Sequence, residues 1–259
     1  MALNSLVHNL AMRNTTPTAP AATAAAPATM AAWRNQNLTA VLFDLDGTLL
    51  DTADDIALAL NRATDEYGWP ALTLNQVRNS IGRGAPLLVE RAATLQGRNL
   101  DAVTHSAITE RFFHHYEALE ESGEGAAKPY PGAAEVLQKL HGIGLRIAVV
   151  TNKQQRFATA LVKLKGLSAW IDQVVGGDSC ARRKPDPLPL VFACRLLGVQ
   201  TRESIMVGDS VNDVQAARAA GIPIICVPHG YNEGQDPRTL QCDALIEQLT
   251  ELPRLLSVA

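Results

Sequence analysis

Short apolar runs alternate with helical patterns along most of this chain, and each run ends in a polar cluster. The first is Ala40-Val41-Leu42-Phe43, apolar on both faces and closed by Asp44-Leu45-Asp46-Gly47-Thr48. Such a run reads as a strand buried on both sides, as in a parallel sheet. Further strands are expected at Leu145–Val150, Gln173–Val175, Ser204–Val207 and Ile224–Val227, with a weaker one near Ala244–Ile246. Between them lie helices: from Pro131-Gly132 through Leu140, around Phe157, Leu161 and Leu164, and over Leu188–Leu197 and Val211–Ala220. Strand–helix alternation of this kind means right-handed crossovers and a parallel sheet with helices on both faces.

One block breaks the alternation. From Ala53 to about Gly125 the pattern is helical only. Ile56, Leu60, Ala63 and Tyr67 mark one helix, ended by Gly68 and Pro70. Leu87, Leu88 and Leu95 mark a second, and Ile108, Phe112, Tyr116 and Leu119 a third. The block therefore reads as an insertion after the first strand. Residues 1–37 differ again: Asn14 to Ala32 is almost all Ala, Thr and Pro, too poor in large apolar groups to offset its ordering entropy. A disordered leader is the expectation. With Arg13 and Arg34 and no acid before Asp44 its composition is also that of an organellar transit peptide, but a cytoplasmic protein with a loose leader is the simpler reading.

Composition excludes some roles. A net charge of -3 offers no attraction to nucleic acid or to an anionic membrane. No segment is long and apolar enough to span a bilayer. The four cysteines form no CxxC pair and read as buried, reduced thiols. His114-His115 fall in a helix and read as surface or core residues rather than metal ligands, and His229 belongs to a loop near a strand end.

In an open parallel sheet, ligands bind beyond the carboxyl ends of the strands. Asp44 and Asp46 follow the first run, Thr151-Asn152-Lys153 the second, and Gly208-Asp209-Ser210 with Asp213 follow Ser204–Val207. Arg182-Arg183-Lys184-Pro185-Asp186 lies between. Each motif alone is an ordinary turn or cap; all of them, in order and after strands, are not. Converging carboxylates repel unless a cation separates them. Hard oxygen donors with few protein ligands suit Mg²⁺, which takes its remaining ligands from water and phosphate. One carboxylate then remains free to attack phosphorus. Asp46 is placed to act as general acid and base, Thr151 to donate to a phosphoryl oxygen, and Lys184 to supply fixed positive charge. Pro185 suits a first helical turn, which places Lys184 just before a helix.

Phe43-Asp44-Leu45-Asp46-Gly47-Thr48-Leu49, Val150-Thr151-Asn152-Lys153, Lys184-Pro185-Asp186 and Gly208-Asp209-Ser210-Val211-Asn212-Asp213 resemble the four motifs of the haloacid dehalogenase superfamily. The resemblance covers about residues 38–250. It implies an α/β Rossmann-like core, of three αβα layers, over 38–52 and 128–259, with a helical cap over 53–127. It implies Asp44 as nucleophile and Asp46 as acid and base. Mg²⁺ would be held by Asp44, Asp209 and the main-chain carbonyl of Asp46, with Asp213 supporting from behind. An aspartate at position 46 separates phosphatases and phosphomutases from dehalogenases. Asp51-Thr52-Ala53-Asp54-Asp55, Val77 to Gly84 and Val227-Pro228-His229-Gly230-Tyr231-Asn232 are similar to the phosphoglycolate phosphatase family. That likeness implies 2-phosphoglycolate as substrate. Gly47, Thr48, Thr151, Asn152 and Lys184 are the expected substrate contacts, with Arg83 of the cap loop meeting the carboxylate. The competing readings are a phosphatase for a sugar phosphate, N-acetylmuramate 6-phosphate or pyrophosphate, and a non-catalytic scaffold. Such a scaffold should have lost Asp44, Asp46, Lys184 or Asp209, and none is missing.

Overall fold

The computed structural model describes residues 31–34 and 36–256. The chain enters through an antiparallel hairpin, β1 (Ala31–Trp33) and β2 (Gln36–Leu38), and runs into β3 (Ala40–Phe43). A short β4 (Leu50–Asp51) leads to four helices: α1 (Ala53–Asp65), α2 (Leu74–Arg78), α3 (Ala85–Leu95) and α4 (Ala102–Ser122). β5 (Lys128–Pro129) pairs back onto β4. The alternation then returns with α5 (Ala133–Gly142), β6 (Arg146–Val150), α6 (Gln155–Leu164), β7 (Gln173–Val175), α7 (Leu188–Leu197), β8 (Ser204–Gly208), α8 (Val211–Ala220), β9 (Ile224–Cys226), β10 (Ala244–Leu245) and α9 (Leu252–Leu255).

Six strands form one parallel sheet in the order β10-β9-β8-β3-β6-β7. β3, β6 and β8 are buried almost throughout, as strands covered on both faces must be. Val41, Phe43, Ile147, Val149, Ile205 and Val207 face one apolar layer. Ala40, Leu42, Ala148, Val150 and Met206 face the other, against α7 and α8. Phe43 is level with Val149 on one side and Val207 on the other. Asp44, Thr151 and Asp209 therefore emerge side by side at one edge of the sheet.

The helical block has its own core, with Leu60, Val77, Leu88, Ile108, Phe112 and Leu119 among its buried side chains. It docks through Phe157 of α6, which stacks on Phe113 at 5.6 Å and meets Tyr116 edge-on at 5.3 Å. Both connections are pinned. β4 and β5 tie them together, and the Asp55 carboxylate accepts from the N–H groups of Ala126 and Ala127. Among the described residues no helix is long and apolar enough to cross a membrane.

Five details depart from the sequence reading. First, the leader does not reach residue 37: Ala31, Trp33 and Leu38 pack into the sheet core, and the Ala32 N–H donates to Leu256. The Ala/Thr/Pro composition hides one tryptophan at its end. The rest of the expected leader, residues 1–30, lies outside the described residues. Second, α2 was not anticipated; its five residues are too short for periodicity, but a Thr73/Gln76 capping box starts it. Third, the β4–β5 pair has no alternating pattern to reveal it. Fourth, Pro185 is not in a first helical turn. Helix α7 begins only at Leu188, with Pro189 inside its first turn, and Lys184 lies in the loop before it. Fifth, the thiols are unpaired, but only Cys194 and Cys226 are buried.

The hairpin gives a stability prediction. Trp33 is 6% exposed. Trp33→Ala should lower the unfolding free energy by about 3 kcal/mol and leave kcat unchanged. A chemical denaturation midpoint equal to that of the unsubstituted chain would mean the hairpin does not hold the sheet.

Candidate active site

Lys184 organises the carboxyl edge of the sheet. It is 2% exposed, and its ammonium donates to the Val150 carbonyl at 2.6 Å, Asp213 Oδ1 at 2.7 Å and Asp44 Oδ1 at 2.9 Å. Those are all three donors that an ammonium has. Burial opposes its charge, but Asp213 and Asp44 together hold its pKa above the ordinary lysine value. Asp44 Oδ1 also accepts from the Leu45 N–H, while Oδ2 has no partner among the described residues. One oxygen is thus fixed and the other is free.

Asp213 has no free oxygen. Its Oδ2 accepts from the Asp209 and Ser210 N–H groups and the Ser210 hydroxyl, bracing the turn after β8. Asp209 accepts from the Thr48 hydroxyl at 2.6 Å and the Tyr231 N–H at 2.6 Å, and makes no ion pair among the described residues. Asp44, Asp209 and Asp213 bring ligand oxygens within 4.8 Å of one another. Burial pushes Asp44 up to about 7, against the pull of Lys184 and helped by Asp213. Burial, then Asp213 and Asp44, raise Asp209 well above the carboxylate range. With all four carboxylates (Asp44, Asp46, Asp209 and Asp213) ionised against two ammoniums (Lys153 and Lys184), the cluster carries two negative charges, and the raised Asp44 and Asp209 reflect burial and that excess. An oxygen-rich, doubly negative cluster fits a divalent cation.

Asp46 points to the other side. Its Oδ1 accepts from the Thr52 hydroxyl at 2.7 Å and from Lys153 Nζ at 3.1 Å. Lys153 is a site residue to which the sequence reading gave no role. Its ammonium lies 4.5 Å from the centre of the Tyr116 ring, under the cap. Burial works against this charge too, yet Asp46 and Tyr116 raise its pKa. A lysine three residues past a buried strand has no nearby surface on which to place its charge, and that was the available signal. Tyr231 was missed as well. Its hydroxyl donates to Asp51 at 2.6 Å and accepts from the Thr52 N–H at 2.8 Å, joining the loop after β9 to the first cap connection.

A cavity of about 110 Å³ opens between cap and sheet, lined by Asp44, Asp46, Thr151, Lys153 and Arg183 on its polar side. Ile81, Leu88, Phe112, Phe113 and Phe157 supply the apolar side. The Thr151 hydroxyl accepts from the Lys153 N–H and keeps its own proton to donate. The N–H groups of Asp46 and Asn152 have no acceptor among the described residues. Together these make a pocket of donors beside the free oxygen of Asp44.

The remaining expected contacts are placed differently. Gly47 and Thr48 do not line the cavity. The Gly47 N–H closes a turn onto Leu50, and at its φ of +89° an added Cβ would lie 2.5 Å from Asp209 Oδ2. Both residues lie against the Asp209 carboxylate. The Asn152 amide is used in clamping, donating to the carbonyls of Gly82 and Lys184. Arg83 turns away to Glu233, at 3.3 Å, which it shares with Arg91. His229 lies against Tyr130 with the rings tilted by 41°, and His115 meets Glu66 on the cap surface.

Residues 41–227 match the family model of the haloacid dehalogenase-like hydrolases. A phosphoglycolate phosphatase of Nitrosospira multiformis is 43% identical over 84% of this chain and 95% of its own length. A plasmid-borne phosphoglycolate phosphatase of Cupriavidus necator is 44% identical over 85% and 94%. Among solved structures, a predicted phosphoglycolate phosphatase from Haemophilus somnus superimposes with a TM-score of 0.78 at 27% identity, covering 84% of this chain and 97% of that one.

Proposed function

Because the chain belongs to the haloacid dehalogenase-like hydrolases and, within them, to the phosphoglycolate phosphatase family, we propose that it hydrolyses 2-phosphoglycolate to glycolate and phosphate through a phosphoryl group carried on Asp44. The observation behind this reading is the asymmetry of Asp44: Oδ1 is held by Lys184 and the Leu45 N–H, and Oδ2 is free beside a pocket of donors.

Asp44 Oδ2 attacks phosphorus, and the bond from phosphorus to the ester oxygen breaks. The electron pair goes to the leaving glycolate oxygen, which takes a proton from Asp46. Asp46 then removes a proton from water. The water oxygen attacks phosphorus, the bond to Asp44 breaks, and inorganic phosphate leaves. Thr151 and the N–H groups of Asp46 and Asn152 bind the phosphoryl oxygens, and Lys184 keeps Asp44 in line. Asp44, Asp209 and the Asp46 carbonyl would hold Mg²⁺, which offsets the charge on nucleophile and phosphoryl group. Asp213, with its oxygens already engaged, supports them from behind. The relatives are bacterial and the thiols unpaired, so we take the reducing cytoplasm as the place of work.

A substrate panel with Mg²⁺ tests the reading. The specificity constant for 2-phosphoglycolate should exceed those for sugar phosphates, N-acetylmuramate 6-phosphate and pyrophosphate by about 10²-fold or more. A flat profile would reject the substrate, and no hydrolysis of any ester would favour a scaffold.

A further inference from the structure

Among the described residues, one cation of the cavity wall has no carboxylate partner. Lys153 and Arg183 are the basic residues on that wall. Lys153 is paired with Asp46. Arg183 makes no ion pair among the described residues; its Nη1 reaches only the Arg83 carbonyl of the cap loop, at 3.4 Å. Gly84 makes that approach possible, since an added Cβ there would lie 2.6 Å from Arg183 Nη1. The guanidinium thus rests on the cap loop at the cavity edge. Three acids share the wall: Asp44 is paired with Lys184, Asp46 with Lys153, and Asp178 accepts through Oδ1 from the Gln155 N–H at the start of α6. Arg83, on the same cap loop, already has Glu233.

We infer that Arg183 is the specificity residue of this site and binds a carboxylate that the substrate carries one methylene from its ester oxygen. The assignment rests on the 2-phosphoglycolate reading. It gives the bound carboxylate two parallel N–H donors on a rigid plane, at the edge of a cavity whose far side is apolar. Arg183 adjoins Lys184 in the chain, so the loop before α7 serves both ends of the substrate: Lys184 at the nucleophile and Arg183 at the second anion. An ester with a neutral hydroxymethyl group in place of the carboxylate leaves the guanidinium without an anion.

The test compares 2-phosphoglycolate with 2-hydroxyethyl phosphate on the full chain with Mg²⁺. The unsubstituted enzyme should prefer the carboxylate. Arg183→Met should raise KM for 2-phosphoglycolate by roughly 10- to 100-fold, with little change in kcat. Its kcat/KM for 2-hydroxyethyl phosphate should match that of the unsubstituted enzyme, which also shows that the variant is folded. Arg183→Lys should recover part of the preference, and Arg83→Met should keep all of it. If Arg183→Met retains the preference, or loses both substrates equally, the assignment is overturned while the substrate reading stands. An unsubstituted enzyme with no preference overturns the substrate reading, and the assignment falls with it.

Discussion

Asp44→Asn should abolish turnover of every phosphate ester and leave the folded chain no less stable than before. The amide cannot displace an alkoxide from phosphorus, and no other carboxylate can take its place. Asp213 is fully engaged with Lys184, Ser210 and the Asp209 N–H, and Asp46 is drawn toward Lys153 and Thr52. The kcat loss should therefore be about 10⁴-fold or more, the scale of removing a covalent nucleophile. Stability should hold because Asp44 is a crowded, buried acid, raised by its burial and by neighbouring Asp213. Lys184 keeps Asp213 and the Val150 carbonyl after the substitution, so no buried ammonium is left alone. The measurements are steady-state kinetics, a thermal melt, and mass analysis of acid-quenched protein mixed with substrate. The quenched parent should carry phosphate on the peptide containing Asp44, and the variant none. Activity near the parent level, or phosphate on another residue, would remove Asp44 from the mechanism.

The core of this site was legible because its residues announce themselves locally. Asp44, Thr151 and Asp209 each follow a run with no exposed face, where a polar side chain needs a reason to be. A parallel sheet sends every such end to one edge. What was not legible depends on partners far along the chain. Lys153 meets Asp46 across 107 positions, and Tyr231 meets Asp51 across 180. Arg83 and Arg183 look alike as loop arginines. Only the fold reveals that Glu233 claims the first and leaves the second facing the cavity. Gly47 and Thr48 were expected at the substrate from the family likeness. The turn they form points them at Asp209 instead, because the tight close onto Leu50 reverses the chain. In the cap, long helices showed their period, whereas a five-residue helix and two paired dipeptides carry too few residues to show one.

Asp46→Asn should slow hydrolysis of 2-phosphoglycolate by about 10²–10⁴-fold, and the size of the loss should depend on the leaving group. Glycolate leaves as a poor alkoxide and needs its proton. p-Nitrophenolate leaves readily without one. Phosphorylation of Asp44 by p-nitrophenyl phosphate should therefore stay fast in the variant, while hydrolysis of the phosphorylated enzyme stays slow because water still lacks its base. Rapid mixing should show a burst of nitrophenolate close to one per enzyme molecule, followed by slow turnover. A structural effect would look different. Asparagine can still accept from Thr52, but it removes the charge opposite the buried Lys153. Any resulting distortion of the pocket would slow the burst and the steady state together, for both esters. A loss below tenfold, or a burst slowed as much as turnover, would take Asp46 out of proton transfer and leave it as the partner that keeps Lys153 in place.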